Sequence, residues 1–265
     1  MVDDGSTDGT AEYVAGLSES WPSLRLLRGK SRGPGAARNH GVANARAALV
    51  AFADDDDIWA TGRLAFQLRA HVEHADATMS FCDYRHVRNG SIDENLPSAF
   101  SYWPHWRKFR GLAQTRVDDA RPLIIAENAV GTSTVMVRRD RFVEIGGFDT
   151  TLPSASDWDL WLRLAGLGSV LVLGMEGASY AVRAGSVSSK RGDRIDAMRR
   201  ILAKHPDIPA WSRRSAEARI ETGLSESAEE VGNLGASIRH AVRSACLRPS
   251  TPQIRRCLGL LRSAL

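Results

Sequence analysis

Four consecutive aspartates, Asp54-Asp55-Asp56-Asp57, end the apolar run Ala48-Leu49-Val50-Ala51-Phe52-Ala53. Such a run reads as a strand buried on both faces, and four adjacent carboxylates at its end repel one another unless a counter-charge is supplied. While strand geometry persists, residues two apart share a side, so Asp54 and Asp56 face the same way and Asp55 turns inward or toward backbone donors. Two carboxylates outside the carboxyl end of a parallel strand face the crevice where open α/β sheets bind ligands. Their hard oxygens suit Mg²⁺ or Mn²⁺, completed by water and substrate phosphates. A solvated acidic turn with a helix cap is the plainer reading of the same four residues.

Two neighbouring segments add to this. Gly33-Pro34-Gly35 opens a helix bearing Arg38 and Asn39 just before the acidic strand. A helix start with free N–H groups is a natural diphosphate site, and Arg38 is placed to add a charge-assisted bond. Val2-Asp3-Asp4-Gly5-Ser6-Thr7-Asp8-Gly9-Thr10 sets two acids at a strand end, where a base or ribose is read; an Asx-type turn and helix cap explain the same residues. His71 and His74 are three apart on a predicted helix but lack a third ligand nearby. The aromatic stretch Tyr102–Phe109 either stacks a sugar or packs a lid or core.

The elements that must position these groups alternate. Helices are predicted after Gly9, from Gly35 to about Ala47, over Thr61–His74 and over Asp157–Ala165. Strands are predicted near Leu24–Leu27, Ala48–Ala53, Thr78–Tyr84, Thr132–Val137, Val170–Leu173 and Ser179–Val182. This order predicts an α/β fold, a mostly parallel sheet flanked by helices. Residues 85–128 are irregular and aromatic. Beyond about Ser189 the chain reads as helical and Arg-rich. Two regions follow, a domain over 1–188 and a helical C-terminal extension over 189–265.

Composition bounds the rest. The chain has 265 residues, 43% hydrophobic and 25% charged, as expected of a globular protein with a sizeable core. Cys82, Cys246 and Cys257 form no CxxC pair, which argues against a structural zinc site and suits a reducing cytoplasm. Asp3 and Asp4 stand where a signal peptide would be basic and apolar, and no apolar run approaches the ~20 residues of a membrane span. A cytoplasmic protein is expected. Residues 183–265 carry 16 Lys and Arg against 8 Asp and Glu. No nucleic-acid motif accompanies this charge, so nucleic acid is not an expected partner. The tail reads either as helices packed on the domain or as a peripheral contact with the inner face of the membrane, through Arg255, Arg256, Arg262, Leu258, Leu260 and Leu261.

Taken in order, VDDGSTDGT, GPGAARNHG, AFADDDDIW, GGFD and SDWDLWLRLA resemble glycosyltransferase family 2 from Val2 to about Ser188. The resemblance implies the GT-A fold, a Rossmann-like sheet. It also implies metal-assisted, inverting transfer from a nucleotide-diphospho-sugar to a glycan, lipid-linked or small-molecule acceptor. Asp4, with Asp3 beside it, matches the acid at the nucleobase, and Arg38 the arginine near the nucleotide. Asp54 and Asp56 match the DxD-type motif, Asp54 toward the ribose and Asp56 on the metal, with Asp55 among the nucleotide-sugar contacts. Asp157 matches the general base; the plainer reading makes it the N-cap of its helix. Arg163 matches an arginine that supports that helix.

This sequence departs from the family pattern in three places. Ser156 stands where the family has Glu. Arg183 stands near where a metal-binding histidine is usual. Met1 lies one residue before Val2-Asp3-Asp4, where the family has a strand, a helix and most of a second strand, so an incomplete donor pocket is expected. An inactive remnant serving as a binding or interaction module is the competing expectation.

Overall fold

The computed structural model describes residues 1–30, 32–88, 91–93, 96–181 and 191–263. Its elements alternate as the periodicity predicts: β1 (Val2–Asp3), α1 (Thr10–Ser20), β2 (Leu27–Arg28), α2 (Pro34–Ala43), β3 (Leu49–Ala51), β4 (Ile58–Trp59), α3 (Arg63–Glu73) and β5 (Met79–Arg88). After β6 (Ser91–Ile92), α4 (Ala99–Tyr102), β7 (Thr115–Val117) and α5 (Arg121–Ala126) come β8 (Met136–Arg138), α6 (Arg139–Glu144), α7 (Ser156–Ala165) and β9 (Val170–Ala181). Four helices end the chain, α8 (Arg191–Lys204), α9 (Ala210–Glu230), α10 (Leu234–Leu247) and α11 (Thr251–Ser263). The expected boundary at Ser188 and the Arg183 position lie outside the described residues.

The α/β class with a helix-flanked sheet holds, but the strand directions differ from the expectation. The main sheet runs β3-β8-β5-β9-β4, with β6 on β5 and β7 on β9. Within it only β5 and β9 are parallel; β3–β8, β5–β8, β4–β9, β5–β6 and β7–β9 are antiparallel. β8 accounts for two of these pairs, entering the sheet between β3 and β5 and running opposite to both, and the short strands β4, β6 and β7 add the other three. β1 and β2 form a separate parallel pair. With β8 as its partner, β3 is the edge of the main sheet, so its residues are half-buried rather than buried on both faces. The two strands expected around Val170 and Ser179 are one continuous strand, β9.

The core lies between this sheet and α7, whose Trp158, Leu160, Trp161, Leu162 and Leu164 are fully buried. Trp161 packs with Phe52 and Phe148, and Phe52 meets Phe148 edge-on at 5.5 Å. Phe52 lies just before the acidic turn and Phe148 sits in the GGFD loop, so the aromatic cluster forms the floor of the site. The aromatic stretch divides in two: Trp106 and Phe109 join the core, while Tyr102 is exposed and Trp103 half-buried.

α3 is anchored through buried polar groups. Arg63 is wholly buried without a carboxylate partner among the described residues. Its Nε donates to Gln67 Oε1 at 2.9 Å, and its guanidinium stacks 4.2 Å from the Trp59 ring centroid. Cys82 beside it is buried, which pushes its thiol up to about 12. His71 is also core, not a ligand: its Nε2 meets Ser80 Oγ at 3.1 Å, and burial, helped by the Arg138 charge, lowers its pKa from 6.5 to about 4. The folded pKa lies below the unfolded one, so the unfolded chain binds the extra proton and stability is lost as pH falls from about 6.5 toward 4. We expect the wild-type chain to lose on the order of 2 kcal/mol more than His71→Gln between pH 7 and pH 5, measured by urea titration. Parallel pH profiles for the two proteins would refute this.

The tail helices carry the basic excess unevenly. Leu260 is buried and Arg256 pairs with Glu229 at 2.6 Å, so these two face the fold. Ile254, Leu258 and Leu261 form an exposed apolar stripe on α11 with Arg255 and Arg262 exposed beside them. No helix among the described residues is long and apolar enough to cross a membrane.

Candidate active site

The site is built where two helices begin. α2 starts at Gly33, which takes φ 88° as its N-cap, with Pro34 in the first turn. α7 starts after Ala155, the one non-glycine residue at positive φ (54°) among those described. The two starts touch: a Cβ placed on Gly35 would lie 3.3 Å from Ser156 Oγ and 3.4 Å from Phe148 Cβ. Each start is the positive end of a helix dipole, so together they favour an anion.

Asp3 and Asp4 take different roles. Asp3 Oδ1 accepts from the Ser6 N–H at 2.9 Å and the Gly5 N–H at 3.3 Å, making the turn after β1. Hydrogen bonds from the Ser6 side chain and backbone hold its carboxyl below the usual carboxylate range. Asp4 Oδ2 accepts from the Gly33 N–H at 2.8 Å, which ties the end of β1 to the start of α2. The chain at Gly29 runs so close to Asp4 that a Cβ there would collide with it, 2.2 Å from Oδ1.

Arg38 and Asp54 meet at 2.5 Å, both half-buried, and the guanidinium lies 5.5 Å from the Phe148 ring centroid. The next residue of α2, Asn39, clamps the GGFD loop with both ends of its amide. Its Nδ2 donates to the Phe148 carbonyl at 2.9 Å and its Oδ1 accepts from the Phe148 N–H at 2.8 Å. Gly147 makes this possible, since a Cβ there would come within 2.5 Å of Asn39 Oδ1.

The acidic run does not alternate as a strand would. The Asp57 N–H donates to the Asp54 carbonyl at 3.3 Å, closing a turn. Asp55, expected inward, is therefore exposed. Asp57 takes the inward place instead: its Oδ1 accepts from the Ala181 N–H at 2.9 Å, and burial raises its pKa. Asp54 and Asp56 are half-buried beside it.

Asp157 lies in the first turn of α7, not at the cap, a position Ala155 fills. Its Oδ1 accepts from the Trp158 N–H at 2.8 Å and its Oδ2 from Thr132 Oγ1 at 3.3 Å. Thr132 opens a 3₁₀ turn, Thr132–Thr134, where the sequence pattern predicts strand. The next residue, Ser133, accepts the Asp54 N–H on its Oγ at 3.0 Å. This hydroxyl-bearing turn joins Asp157 to the acidic turn, and sequence reasoning missed it. Its signal is Gly131-Thr132-Ser133-Thr134, a glycine followed by three hydroxyls directly before a strand.

Residues 1–129 match the family model described as glycosyl transferase family 2. Over that stretch the chain is similar to glycosyltransferase family 2. Relatives extend the similarity. The succinoglycan biosynthesis protein ExoO of Rhizobium meliloti (strain 1021) is 32% identical over 203 residues, 75% of this chain and 56% of that protein. ExoU of the same organism is 27% identical over 225 residues, 82% and 63%. An uncharacterized glycosyltransferase of Rickettsia felis is 29% identical over 171 residues, 64% of this chain and 25% of that protein. The chain thus spans between a quarter and somewhat under two thirds of these relatives.

Among solved structures, the mannosyltransferase PcManGT from Pyrobaculum calidifontis, in complex with GDP-Man and Mn²⁺, aligns over 99% of this chain and 68% of its own. The TM-score is 0.58 and the identity 20%. The shared feature is the fold, GT-A.

Whether these family 2 residues suit a divalent cation is tested by their donor set. Among the described residues no three His, Cys, Asp or Glu side chains form a cluster able to hold a metal. Asp54 and Asp56 supply hard oxygens from one turn. Such oxygens are of the kind that suits Mg²⁺ or Mn²⁺ when further oxygens complete the shell, and one of the two carboxylates, Asp54, is paired with Arg38.

Proposed function

We propose that this chain is an inverting glycosyltransferase that moves a sugar from a nucleotide-diphospho-sugar to an acceptor hydroxyl. The observation that carries this reading is the meeting of the α2 and α7 starts beside Asp4, Arg38, Asp54 and Asp56, with Asp157 one residue from the contact. The two helix starts and Arg38 favour a diphosphate there. Asp4 and Asp3 border the nucleobase, Asp54 and Asp55 the ribose and donor sugar, and Asp56 holds the cation. A bound Mg²⁺ or Mn²⁺ supplies charge stabilisation for the departing nucleoside diphosphate. Asp157 takes the proton of the acceptor hydroxyl as its oxygen attacks the anomeric carbon opposite the leaving group. The succinoglycan biosynthesis relatives favour a growing glycan as acceptor, and the exposed α11 stripe suits an enzyme that meets its acceptor at a membrane surface.

The test is thermal unfolding with UDP, GDP or dTDP, each with and without Mn²⁺. One nucleotide at 100 times its Kd is expected to add about 2.7 kcal/mol. That gain should need Mn²⁺ and should vanish in Asp56→Ala. No response to any nucleotide would leave the binding-module reading in its place.

A further inference from the structure

Behind Asp157 the structure holds an arginine whose surroundings the donor chemistry does not explain. Arg219 rises from the middle of α9, and its Cζ lies 5.1 Å from the Trp103 ring centroid and 5.3 Å from that of Trp158. Its hydrogen bond to protein is long, Nη1 to the Ala126 carbonyl at 3.5 Å. Among the described residues no carboxylate pairs with it. The acid it feels most, Glu127, is wholly buried and engaged elsewhere. Glu127 accepts from the His105 N–H at 3.0 Å, lies 2.9 Å from His105 Nδ1 and makes a short ion pair with Arg248.

Other cations crowd Arg219 rather than relieve it. Burial, then the charge of Arg194, bring its guanidinium down to about 9, with Arg248 adding to the effect. Arg194, on the first turns of α8, is exposed and makes no ion pair among the described residues. Its field and that of Asp157 both reach the Tyr84 phenol. The Tyr84 ring packs on Gly131, where a Cβ would come within 2.9 Å of it, and the next residue is Thr132, the partner of Asp157. Trp158, under Arg219, directly follows Asp157. Arg219 thus lies against the residue that follows Asp157, and the charge of Arg194 acts on both Arg219 and Tyr84.

A half-buried guanidinium beside like charges and without an acid is costly unless a ligand supplies the counter-charge. Both indoles lie within cation–π reach of the guanidinium, whose N–H fork fits the oxygens of a carboxylate or phosphate. We infer that the acceptor carries an oxyanion group, held between Arg219 and Arg194 next to Asp157. The inference rests on the reading of Asp157 as the acceptor-side base. It sets the acceptor class as an acidic or phosphate-bearing glycan rather than a neutral one.

The experiment titrates the whole chain, in EDTA, with glucuronate, glucose 6-phosphate and methyl glucoside, read by calorimetry and by the fluorescence of the flanking tryptophans. At least one anion should bind ten-fold or more tightly than methyl glucoside. The tighter of the two tells whether the acceptor charge is a carboxylate or a phosphate. Arg219→Met should abolish the preference and keep the melting temperature, since the thioether chain still fills the space beside the indoles. Arg194→Gln, at an exposed position, should weaken it several-fold; if Arg219→Met does not melt cooperatively, this variant decides. Equal weak binding of all three sugars, or an unchanged anion preference in the variants, overturns the inference. The nucleotide and Mn²⁺ titration on the same preparation reports the donor site separately. A nucleotide response without anion preference sinks only the acceptor proposal; anion preference without a nucleotide response sinks the glycosyl-transfer reading and with it the naming of that anion as an acceptor, leaving an oxyanion site at Arg219.

Discussion

Asp157→Asn is expected to lower sugar transfer by about two to four orders of magnitude, the usual worth of a positioned general base, while nucleotide affinity stays within two-fold. The separation follows from where Asp157 sits. It belongs to α7, across the Gly35–Ser156 contact from the residues assigned to the donor, and its two hydrogen bonds go to Trp158 N–H and Thr132 Oγ1. An amide keeps an oxygen for the Trp158 N–H, so the helix start should survive, with the melting temperature nearly unchanged. An amide cannot take a proton from the acceptor. Initial rates with the nucleotide-sugar that responds in the thermal test, together with nucleotide titration, check both halves. Equal loss of rate and nucleotide affinity would show that Asp157 acts by shaping the donor pocket. Unchanged rate would remove it from the chemistry.

The proposed donor half of this site is drawn from sequence segments that are each contiguous. Each of VDDGS, GPGAARN and DDDD is a strand end or helix start whose backbone geometry is local, so residue type and spacing carry most of the information. What spans distant segments is not legible in this way. Asn39 reads as a polar companion of Arg38, yet its amide clamps Phe148, 109 positions along. The exchange of roles between Asp55 and Asp57 is set by a tight turn, and the strand ends at Ala51, two residues before the apolar run does. Strand direction was lost for a similar reason. A short apolar segment such as Met136–Arg138 reads the same in either direction, and only its place between β3 and β5 decides. The proposed acceptor side depends on α5 meeting both α7 and α9. No pattern around Arg219 marks it off from the other arginines of a basic tail.

The strongest effect on stability is expected at Asp159, two residues beyond the proposed base and on the same helix. Its carboxylate is wholly buried, with Arg163 Nε at 2.8 Å and Lys204 Nζ at 2.9 Å. Each cation has a further task. Arg163 donates to the Ile145 carbonyl at 2.9 Å and the Gly147 carbonyl at 2.6 Å, so it holds the GGFD loop. Lys204, at the end of α8, also reaches Asp149 at 2.6 Å. Asp159 therefore binds the C-terminal helices to α7 and, through Arg163, Gly147 and Asn39, to the start of α2.

Asp159→Ala should cost about 3 kcal/mol, toward the lower end for a broken buried pair, because both cations are part-exposed and solvent takes up some of their charge. Lys204→Met should cost less, since Arg163 still neutralises Asp159. It should also remove part of the acid sensitivity. Lys204 holds the Asp149 carboxyl well below its ordinary range, so that pair stabilises the fold above about pH 4 and is lost as pH falls further. Urea titrations of the wild type and the two variants at pH 7 and pH 3 measure these differences. A loss below 1 kcal/mol in Asp159→Ala would mean that α7 and α8 are held by their apolar contacts alone. The expected loss, joined to weaker nucleotide binding, would mean that the C-terminal helices hold the donor site in shape as well as flanking the acceptor.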